Sequence, residues 1–167
     1  VGPKGRIYVS DVLHGAVICL NSKGDIVWKK YLKPPPQLNT KVWNGFPSYY
    51  PNLRSTTSSV LCLPGELWVT DQRFQLVYRL SYDGEIIDYL THYVKGDKIW
   101  RFRRIGELGH TSNGNYLLTL PLVKKILGLD EKSQVVFEID GSGMSENYRF
   151  LSIHGVNITD ENIMLIT

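Results

Sequence analysis

Apolar and polar residues alternate in short runs along this chain, and the runs predict β-strands rather than helices. Residues 6–11 alternate, with Ile7 and Val9 on one face, and residues 16–20 form a continuous apolar run. A turn at 22–25 separates this run from a further strand over 26–32. The pattern therefore predicts an all-β fold.

The same pattern of strands and turns occurs more than once. Residues 5–26 align without a gap on residues 65–86, and a looser copy follows from Gly114. A fourth copy begins near Glu161, so the units start 60, 49 and about 48 residues apart. The residues shared by the first two copies are Gly5 with Gly65, Val9 with Val69, Asp11 with Asp71, Val17 with Val77, Leu20 with Leu80, Gly24 with Gly84 and Ile26 with Ile86. Self-similarity of this length indicates a repeat architecture.

Each unit contains turn signals that suit antiparallel strands. The second copy repeats the first as strands over 66–71, 76–80 and 86–90, with Asp83-Gly84 in a turn, which is a strong hairpin signal. One more strand precedes each glycine-led strand, at 58–63, 105–112 and 150–159. Four antiparallel strands in about 50 residues are typical of a β-propeller blade.

We therefore predict an all-β partial β-propeller of about three four-stranded antiparallel blades, belonging to a larger ring. The predicted repeat units are about 5–57, 58–104 and 105–149, with the start of another at 150–167. Propellers close into rings of roughly 4–8 blades. We expect the remaining blades to come from the same, longer chain or from other copies.

Composition narrows the classes of protein that fit. The 167 residues are 43% apolar, which is enough for a core, and no apolar run is long enough for a membrane span. The net charge of +3 is mild and argues against a dedicated nucleic-acid binder. Cys19 and Cys62 lie in apolar runs typical of buried thiols, and a disulfide between neighbouring blades stays open. The sequon at Asn157 predicts a glycosylation site and an extracellular or secreted protein.

Two segments interrupt the regular pattern and supply candidate ligand-binding residues. Residues 33–54 form a long loop rich in proline and aromatic residues, including Trp43, Tyr49 and Tyr50. Long loops on rigid scaffolds often carry function, although this one equally fits a lid over a blade edge.

The second interruption alternates basic and aromatic residues. It contributes the candidates Trp100, Arg101, Arg103 and Arg104. Such a stretch could stack bases and hold phosphates, or grip a sulfated or carboxylated ligand. The alternative is long cationic side chains that cover apolar rings.

Asp11 and Asp71 occupy the same place in two units, directly after a strand. An aspartate there can accept backbone N–H groups of the turn, so we predict a structural role. The third unit has Leu120 at this position.

The histidines are His14, His92, His110 and His154, and their spacing matches no metal site, so neither a metal nor a cofactor is expected. His110 and His154 fall in first-strand segments, which line the central channel of a propeller.

Residues 154–165 and 112–118 resemble the recurring phrase of the arylsulfotransferase family, in which a histidine and a short strand are followed by Asn-Gly-Asn and an aliphatic strand. Residues 17–28 and 134–140 resemble, more broadly, the repeats of NHL-type and quinoprotein propellers. In arylsulfotransferases a channel histidine accepts the sulfuryl group covalently and passes it to a phenol. The resemblance implies that His154 is the candidate nucleophile and His110 a charge-stabilising partner.

Three functions follow as hypotheses. The first is a non-catalytic binding or scaffold module that presents the ring face and the 33–54 loop to a protein or glycan. The second is sulfuryl transfer through a channel histidine. The third is RNA binding of the NHL type, which would need Arg101, Arg103 and Arg104 on one exposed face and which the mild net charge disfavours.

Overall fold

The computed structural model describes residues 2–33, 35, 56–111, 113–143, 156–158 and 164–166. Within these ranges the chain is built from short β-strands. The first seven strands are β1 (Ile7–Asp11), β2 (Ala16–Leu20), β3 (Ile26–Tyr31), β4 (Thr57–Leu63), β5 (Glu66–Asp71), β6 (Leu76–Leu80) and β7 (Ile86–Leu90). The others are β8 (His92–Lys95), β9 (Lys98–Arg101), β10 (Leu108–His110), β11 (Tyr116–Leu120), β12 (Lys125–Leu129), β13 (Val135–Asp140), β14 (Val156–Ile158) and β15 (Met164–Ile166).

The strands form sheets in simple sequential order, which confirms the all-β, partial-propeller prediction. A three-stranded sheet has the order β1-β2-β3, and two four-stranded sheets have the orders β4-β5-β6-β7 and β10-β11-β12-β13. Two-stranded sheets are formed by β8-β9 and by β14-β15. The predicted boundaries of the repeat units stay a prediction.

The hairpin turns form where the sequence repeats its glycine. Gly24 and Gly84 have φ of 90° and 84°, a conformation that glycine adopts without steric cost. Asn21 Oδ1 accepts hydrogen bonds from the backbone N–H groups of Lys23 (2.8 Å) and Asp25 (2.9 Å). Ser81 Oγ accepts the equivalent pair in the second copy. Local side-chain bonds therefore fix the strand register.

The chain divides into two compact units, which are Val1–Phe74 with Tyr78–Tyr89, and Gln75–Val77 with Leu90–Thr167. In the first unit, the backbone carbonyl of Tyr82 accepts hydrogen bonds from Trp28 Nε1 (3.0 Å), Arg6 Nη1 (3.3 Å) and the Tyr8 hydroxyl (3.4 Å). The Tyr82 hydroxyl donates to the Leu63 carbonyl and accepts from Gly65 N–H. These bonds tie the first sheet to the turn between β6 and β7.

Asp71 has the structural role that the sequence predicts. It is fully buried, and its Oδ1 accepts backbone N–H groups from Thr56 (3.2 Å), Arg73 (2.8 Å) and Phe74 (3.0 Å). The Tyr78 hydroxyl donates to the other carboxylate oxygen at 3.3 Å. Asp71 therefore joins the turn after β5 to the chain that enters β4.

Asp11 keeps one of these backbone bonds and adds charged partners. It accepts His14 N–H at 3.2 Å, and its carboxylate lies 2.8 Å from His14 Nδ1 and 3.1 Å from Lys29 Nζ. These contacts, led by His14 and then Lys29, lower the pKa of Asp11 from 3.8 to about 2.

In the second unit, the core lies between the β10-β13 sheet and β14. Leu117, Ile126 and Val156 form a buried cluster, against which Phe137 and Ile139 pack. β14 passes so close to β10 that a Cβ at Gly109 would lie 2.9 Å from the Val156 carbonyl oxygen. Only glycine fits that approach without a shift of the backbone.

Some residues that the sequence analysis singled out lie outside the described residues. The loop candidates Trp43, Tyr49 and Tyr50, and also His154, lie outside the described residues. Cys19 and Cys62 are free thiols, Cys19 buried and Cys62 half-buried. In the described part of the chain, no helix is long and apolar enough to cross a membrane.

Candidate functional site

The strongest candidate site is the basic hairpin, formed by β8 and β9 together with the loop that follows up to residue 105. The hairpin pairs His92 with Arg101, Tyr93 with Trp100, Val94 with Ile99 and Lys95 with Lys98. β8 lies next to the start of β13, because Val94 N–H donates to the Ser133 carbonyl at 2.9 Å and Val94 bridges to Gln134. β9 is therefore the outer strand of the hairpin.

The register places the predicted binding residues on two faces. Residues directly opposite in an antiparallel pair share a face, and neighbours along a strand alternate between faces. Trp100 thus shares its face with Tyr93, Lys95 and Lys98, which we call the Trp100 face. Arg101 lies on the opposite face with Ile99. The sequence prediction grouped Trp100 with Arg101, and the strand separates them.

The two arginines after β9 are held outward between buried anchors. Phe102 and Ile105 are buried, whereas Arg103 and Arg104 between them are exposed. Phe102 stacks on Tyr93 with ring centroids 5.9 Å apart, and Ile105 N–H donates to Gln75 Oε1 at 3.3 Å. Arg104 has φ of 50°, a left-handed conformation that costs a non-glycine residue roughly 1 kcal/mol. The buried residues on both sides therefore hold the backbone from which the two arginine side chains extend.

Some of the positive charge near the hairpin is already neutralised. Glu138 binds Lys125 Nζ at 2.6 Å and Lys95 Nζ at 2.7 Å. These bonds, first from Lys125 and then from Lys95, lower the pKa of Glu138. Lys125 also pairs with Asp140 at 3.0 Å, and its pKa is raised by both carboxylates.

Three further cations of the hairpin take part in none of the ion pairs formed by the described residues. Among the described residues, no ion pair involves Lys98, Arg103 or Arg104. Burial raises the pKa of Tyr93, Glu138 adds to this rise, and the charges of Lys95, Lys125 and Arg103 oppose it. The arrangement can receive an anionic group beside an aromatic surface.

His110 lies at the end of β10 and is half-buried. It pairs with Tyr116 on β11, and the two rings are tilted by 43° with centroids 6.0 Å apart. The Asn113-Gly114-Asn115 stretch near it forms the β10-β11 turn, where Thr111 Oγ1 accepts Asn115 N–H at 2.9 Å. The part of the arylsulfotransferase resemblance that rests on this stretch therefore falls on a hairpin turn.

Asn157 belongs to β14, where its backbone pairs with Leu165. Its use as a glycosylation site stays a prediction. Among the described residues, no group of three or more histidine, cysteine, aspartate or glutamate side chains is arranged to hold a metal ion.

Two residues of the site lie in the basic and aromatic segment that the sequence analysis singled out, over 93–104, but were not among its ligand-binding candidates. Lys98 and Tyr93 complete the Trp100 face, and the period-two alternation over 92–101 would have found both. Glu138, which neutralises Lys95, lies 43 positions away from it, and no local pattern could have found that contact.

Comparisons with known proteins support the fold and no single activity. No protein-family model matches the chain, and no curated protein matches its sequence. A catalytically inactive virginiamycin B lyase from Staphylococcus aureus with quinupristin is similar in structure, with a TM-score of 0.64 and 14% identity over 99% of this chain and 46% of that one. Glutaminyl cyclase from Myxococcus xanthus has a TM-score of 0.65 and 13% identity over 99% of this chain and 65% of that one. Hydrazine synthase from Kuenenia stuttgartiensis has a TM-score of 0.63 and 10% identity over 99% of this chain and 40% of that one.

These likenesses show the β-propeller class. They do not extend to the arylsulfotransferase or NHL group. The chain spans about half the length of the lyases that it matches.

Proposed function

We propose that the chain is a non-catalytic binding module of a β-propeller, and that the basic hairpin receives an anionic part of a protein or glycan. The observation that carries this proposal is a set of cations without ion pairs in the described structure, Lys98, Arg103 and Arg104, next to the exposed Trp100. The predicted 33–54 loop, with Trp43, Tyr49 and Tyr50, is a second contact in this proposal.

The chemistry of the hairpin suits sulfate or carboxylate groups on a flat or extended partner. Trp100 is 48% exposed, and Ile99 on the other face is 71% exposed. Guanidinium groups bind carboxylate and sulfate oxygens through two parallel hydrogen bonds, and an indole ring offers a face for a sugar or a methylene chain. The hairpin brings both within a few residues.

A binding titration with charge-reversed variants tests the proposal. The purified protein would be titrated with a heparin-derived oligosaccharide and with an acidic peptide, using calorimetry at two salt concentrations. We expect Lys98→Glu with Arg103→Glu to weaken binding of one of them by about ten-fold or more. The control is Lys4→Glu with Lys23→Glu, which makes the same change of charge at exposed positions of the other unit. Equal weakening by both pairs would show a non-specific charge effect and overturn the proposal.

The aromatic part of the site has its own matched pair. Trp100→Ala removes the ring of the Trp100 face, and Ile99→Ala removes an exposed side chain from the opposite face of the same strand. We expect only Trp100→Ala to weaken binding of the anionic partner, by roughly five-fold to ten-fold. If both alanine variants bind the anionic partner as tightly as the parent does, the proposal that the Trp100 ring contributes to binding is wrong.

Binding of RNA would replace the anionic protein or glycan as the proposed partner. Phosphate contacts make nucleic-acid binding fall steeply with salt. Tight, salt-dependent retention of single-stranded RNA, lost on Arg101→Ala as well as Arg103→Ala, would favour the NHL-type hypothesis instead.

Sulfuryl transfer is the alternative that the arylsulfotransferase resemblance implies. The half-buried His110 next to Tyr116 is the described residue that favours it. Similar propellers named as a lyase and a cyclase are enzymes by name, so the fold class admits catalysis. Release of a phenol from an aryl sulfate, lost on His154→Ala and reduced on His110→Ala, would favour this function over binding.

An extracellular or secreted location belongs to the same proposal. It rests on the sequon at Asn157. A shift in mass on enzymatic removal of N-glycans from the native protein, absent in Asn157→Gln, would support it. An unmodified native protein would remove its sole support.

A further inference from the structure

The basic hairpin ends in a strand whose outer edge is open. Among the described residues β9 pairs only with β8, and every side chain of Lys98–Arg101 is exposed. β8 lies in turn against the start of β13, through the bond from Val94 N–H to the Ser133 carbonyl. The hairpin therefore continues the edge of β13, and β9 is its last described strand.

The register of the hairpin shows which backbone groups of β9 point outward. In an antiparallel pair, opposite residues alternate between those that exchange N–H···O bonds and those whose polar groups point away from the partner strand. Val94 N–H bonds Ser133 on the far side, so Val94 and its partner Ile99 belong to the second kind. Phe102 N–H bonds the Thr91 carbonyl at 3.3 Å, as the same alternation requires. The N–H and the carbonyl of Ile99 thus face the open edge.

The protection of this edge is electrostatic. Native proteins block open edges with proline, β-bulges, covering segments or charged side chains. β9 contains no proline and keeps a regular register along its length, and it carries Lys98 and Arg101. These cations repel a basic strand and attract an acidic one. A glycan has no peptide groups with which to pair the edge, whereas an extended acidic peptide supplies both the charge and the backbone.

Lys98 has a local reason to attract a carboxylate. It lies directly opposite Lys95, and two like charges in that position destabilise an antiparallel pair. Glu138 binds Lys95 Nζ at 2.7 Å from the β13 side, whereas no ion pair among the described residues involves Lys98. The exposed Arg103 and Arg104 continue the positive charge past the end of β9. A carboxylate on the open side of β9 would neutralise Lys98 as Glu138 neutralises Lys95.

We propose that an extended acidic segment of a partner protein adds to the outer edge of β9 as an antiparallel strand. This inference rests on the proposed binding function and names its class of partner. The residue opposite Ile99 in the added strand exchanges two backbone hydrogen bonds with it. The alternating faces then select the side chains of the partner, which are an acidic one opposite Lys98, an aromatic one opposite Trp100 and a β-branched one opposite Ile99. Acidic residues that precede these in the partner lie toward Arg103.

Calorimetric titration of the purified protein with a synthetic peptide tests strand addition. The probe is acetyl-Asp-Asp-Glu-Tyr-Val-Glu-Thr-amide, which places its valine opposite Ile99 and its last glutamate opposite Lys98. N-methylation of the valine removes the N–H that bonds the Ile99 carbonyl, and should weaken binding by about ten-fold or more. N-methylation of the tyrosine is the control, because that N–H points away from β9, and binding should stay within about two-fold of the probe. Both changes are in the peptide, so the protein remains the same.

A charge exchange tests the orientation of the added strand. Lys98→Glu should weaken binding of the probe by about ten-fold, because it places two carboxylates opposite each other. A second probe with lysine in place of the last glutamate should bind this variant about as tightly as the original probe binds the parent. Failure of the second probe to restore binding would contradict the proposed register.

Strand addition and the proposed binding function fail in different ways. Equal affinity of the two N-methylated peptides would overturn strand addition alone. Binding of the heparin-derived oligosaccharide that depends on Lys98 and Arg103, without binding of the probe, would do the same and make a glycan the partner. A dimer of the parent chain that excludes the probe would make a second copy the occupant of the edge. If neither anionic ligand depends on Lys98 and Arg103, the binding function itself is wrong, and strand addition with it.

Discussion

The first two repeats share one phrase of sequence and differ in what surrounds it. β5 carries a buried valine and a buried aspartate, Val69 and Asp71, where β1 carries a half-exposed valine and an aspartate with charged partners, Val9 and Asp11. The local strand and turn are the same in both copies. The difference teaches that the repeated sequence encodes the strand and the turn, whereas the neighbouring sheet determines how much each side chain contributes to the free energy of unfolding.

The largest expected effect comes from a pair of alanine substitutions at equivalent positions of β5 and β1. Leu67→Ala should lower the free energy of unfolding by about 3 kcal/mol, because it opens a cavity at a fully buried site. Ile7→Ala removes a similar side chain from the exposed face, and should cost about 1 kcal/mol. Urea denaturation at low protein concentration measures both. Equal costs would show that Ile7 is as well buried in solution as Leu67 is.

The second pair of variants removes the aspartate at the equivalent position of each repeat. Asp71→Ala leaves backbone N–H groups of Thr56, Arg73 and Phe74 without their acceptor, and should cost about 2 kcal/mol. Asp11→Ala removes one backbone bond and two partly exposed ion pairs, so its effect should be clearly smaller. Thermal unfolding compares the two variants. A larger loss at Asp11 would contradict the assignment of Asp71 as the structural member of the pair.

A third test uses a position at which the two copies diverge. β3 has Trp28 where β7 has Asp88. Trp28→Phe keeps an aromatic ring but removes the donor to the Tyr82 carbonyl, and should cost about 1 kcal/mol. Asp88→Asn, at an exposed partner of Arg79, should have almost no effect on the unfolding midpoint. The reverse order would mean that the Tyr82 carbonyl loses nothing when one of its three donors is removed.

The smallest expected effect is the acid titration of Asp11. Its pKa in the fold is about 2, below the ordinary 3.8, because His14 and Lys29 favour the charged carboxylate. A lowered folded-state pKa stabilises the fold above about pH 4, and this contribution is lost as the pH falls toward 2. Carbon NMR of the carboxyl group should show a midpoint near pH 2 that rises in high salt. A midpoint near 4 would show that the ion pairs do not persist in solution.

Local sequence predicted most of the strands because their signals are local. The predicted strands over 16–20, 66–71, 76–80 and 86–90 have the bounds observed for β2, β5, β6 and β7. One first-strand segment came out shorter: residues 105–112 were predicted as one strand, and β10 covers only Leu108–His110. Before β10, the Gly106 N–H bonds the Thr119 carbonyl, and a Cβ at Gly106 would meet the Thr119 side chain.

The candidate site was harder to predict than the fold. Its basic and aromatic residues were visible in the sequence, but the hairpin register that separates Trp100 from Arg101 depends on the turn at Gly96, whose φ is 59°. The neutralisation of Lys95 by Glu138 depends on the contact of β8 with β13, which lies far away in the sequence. The basic and aromatic residues therefore located the segment in the sequence. Only the tertiary structure shows which of its charges are already neutralised by an ion pair.

The carbonyl of Tyr82 has a consequence for how the first two repeats fold. Three donors from the first sheet converge on this one oxygen, which belongs to a turn of the second repeat. In repeat proteins, stability is the sum of what each repeat contributes alone and what it gains from its neighbour. A shared acceptor makes the neighbour contribution large for these two repeats, so their amide protons should exchange with solvent in a single cooperative opening rather than one sheet at a time.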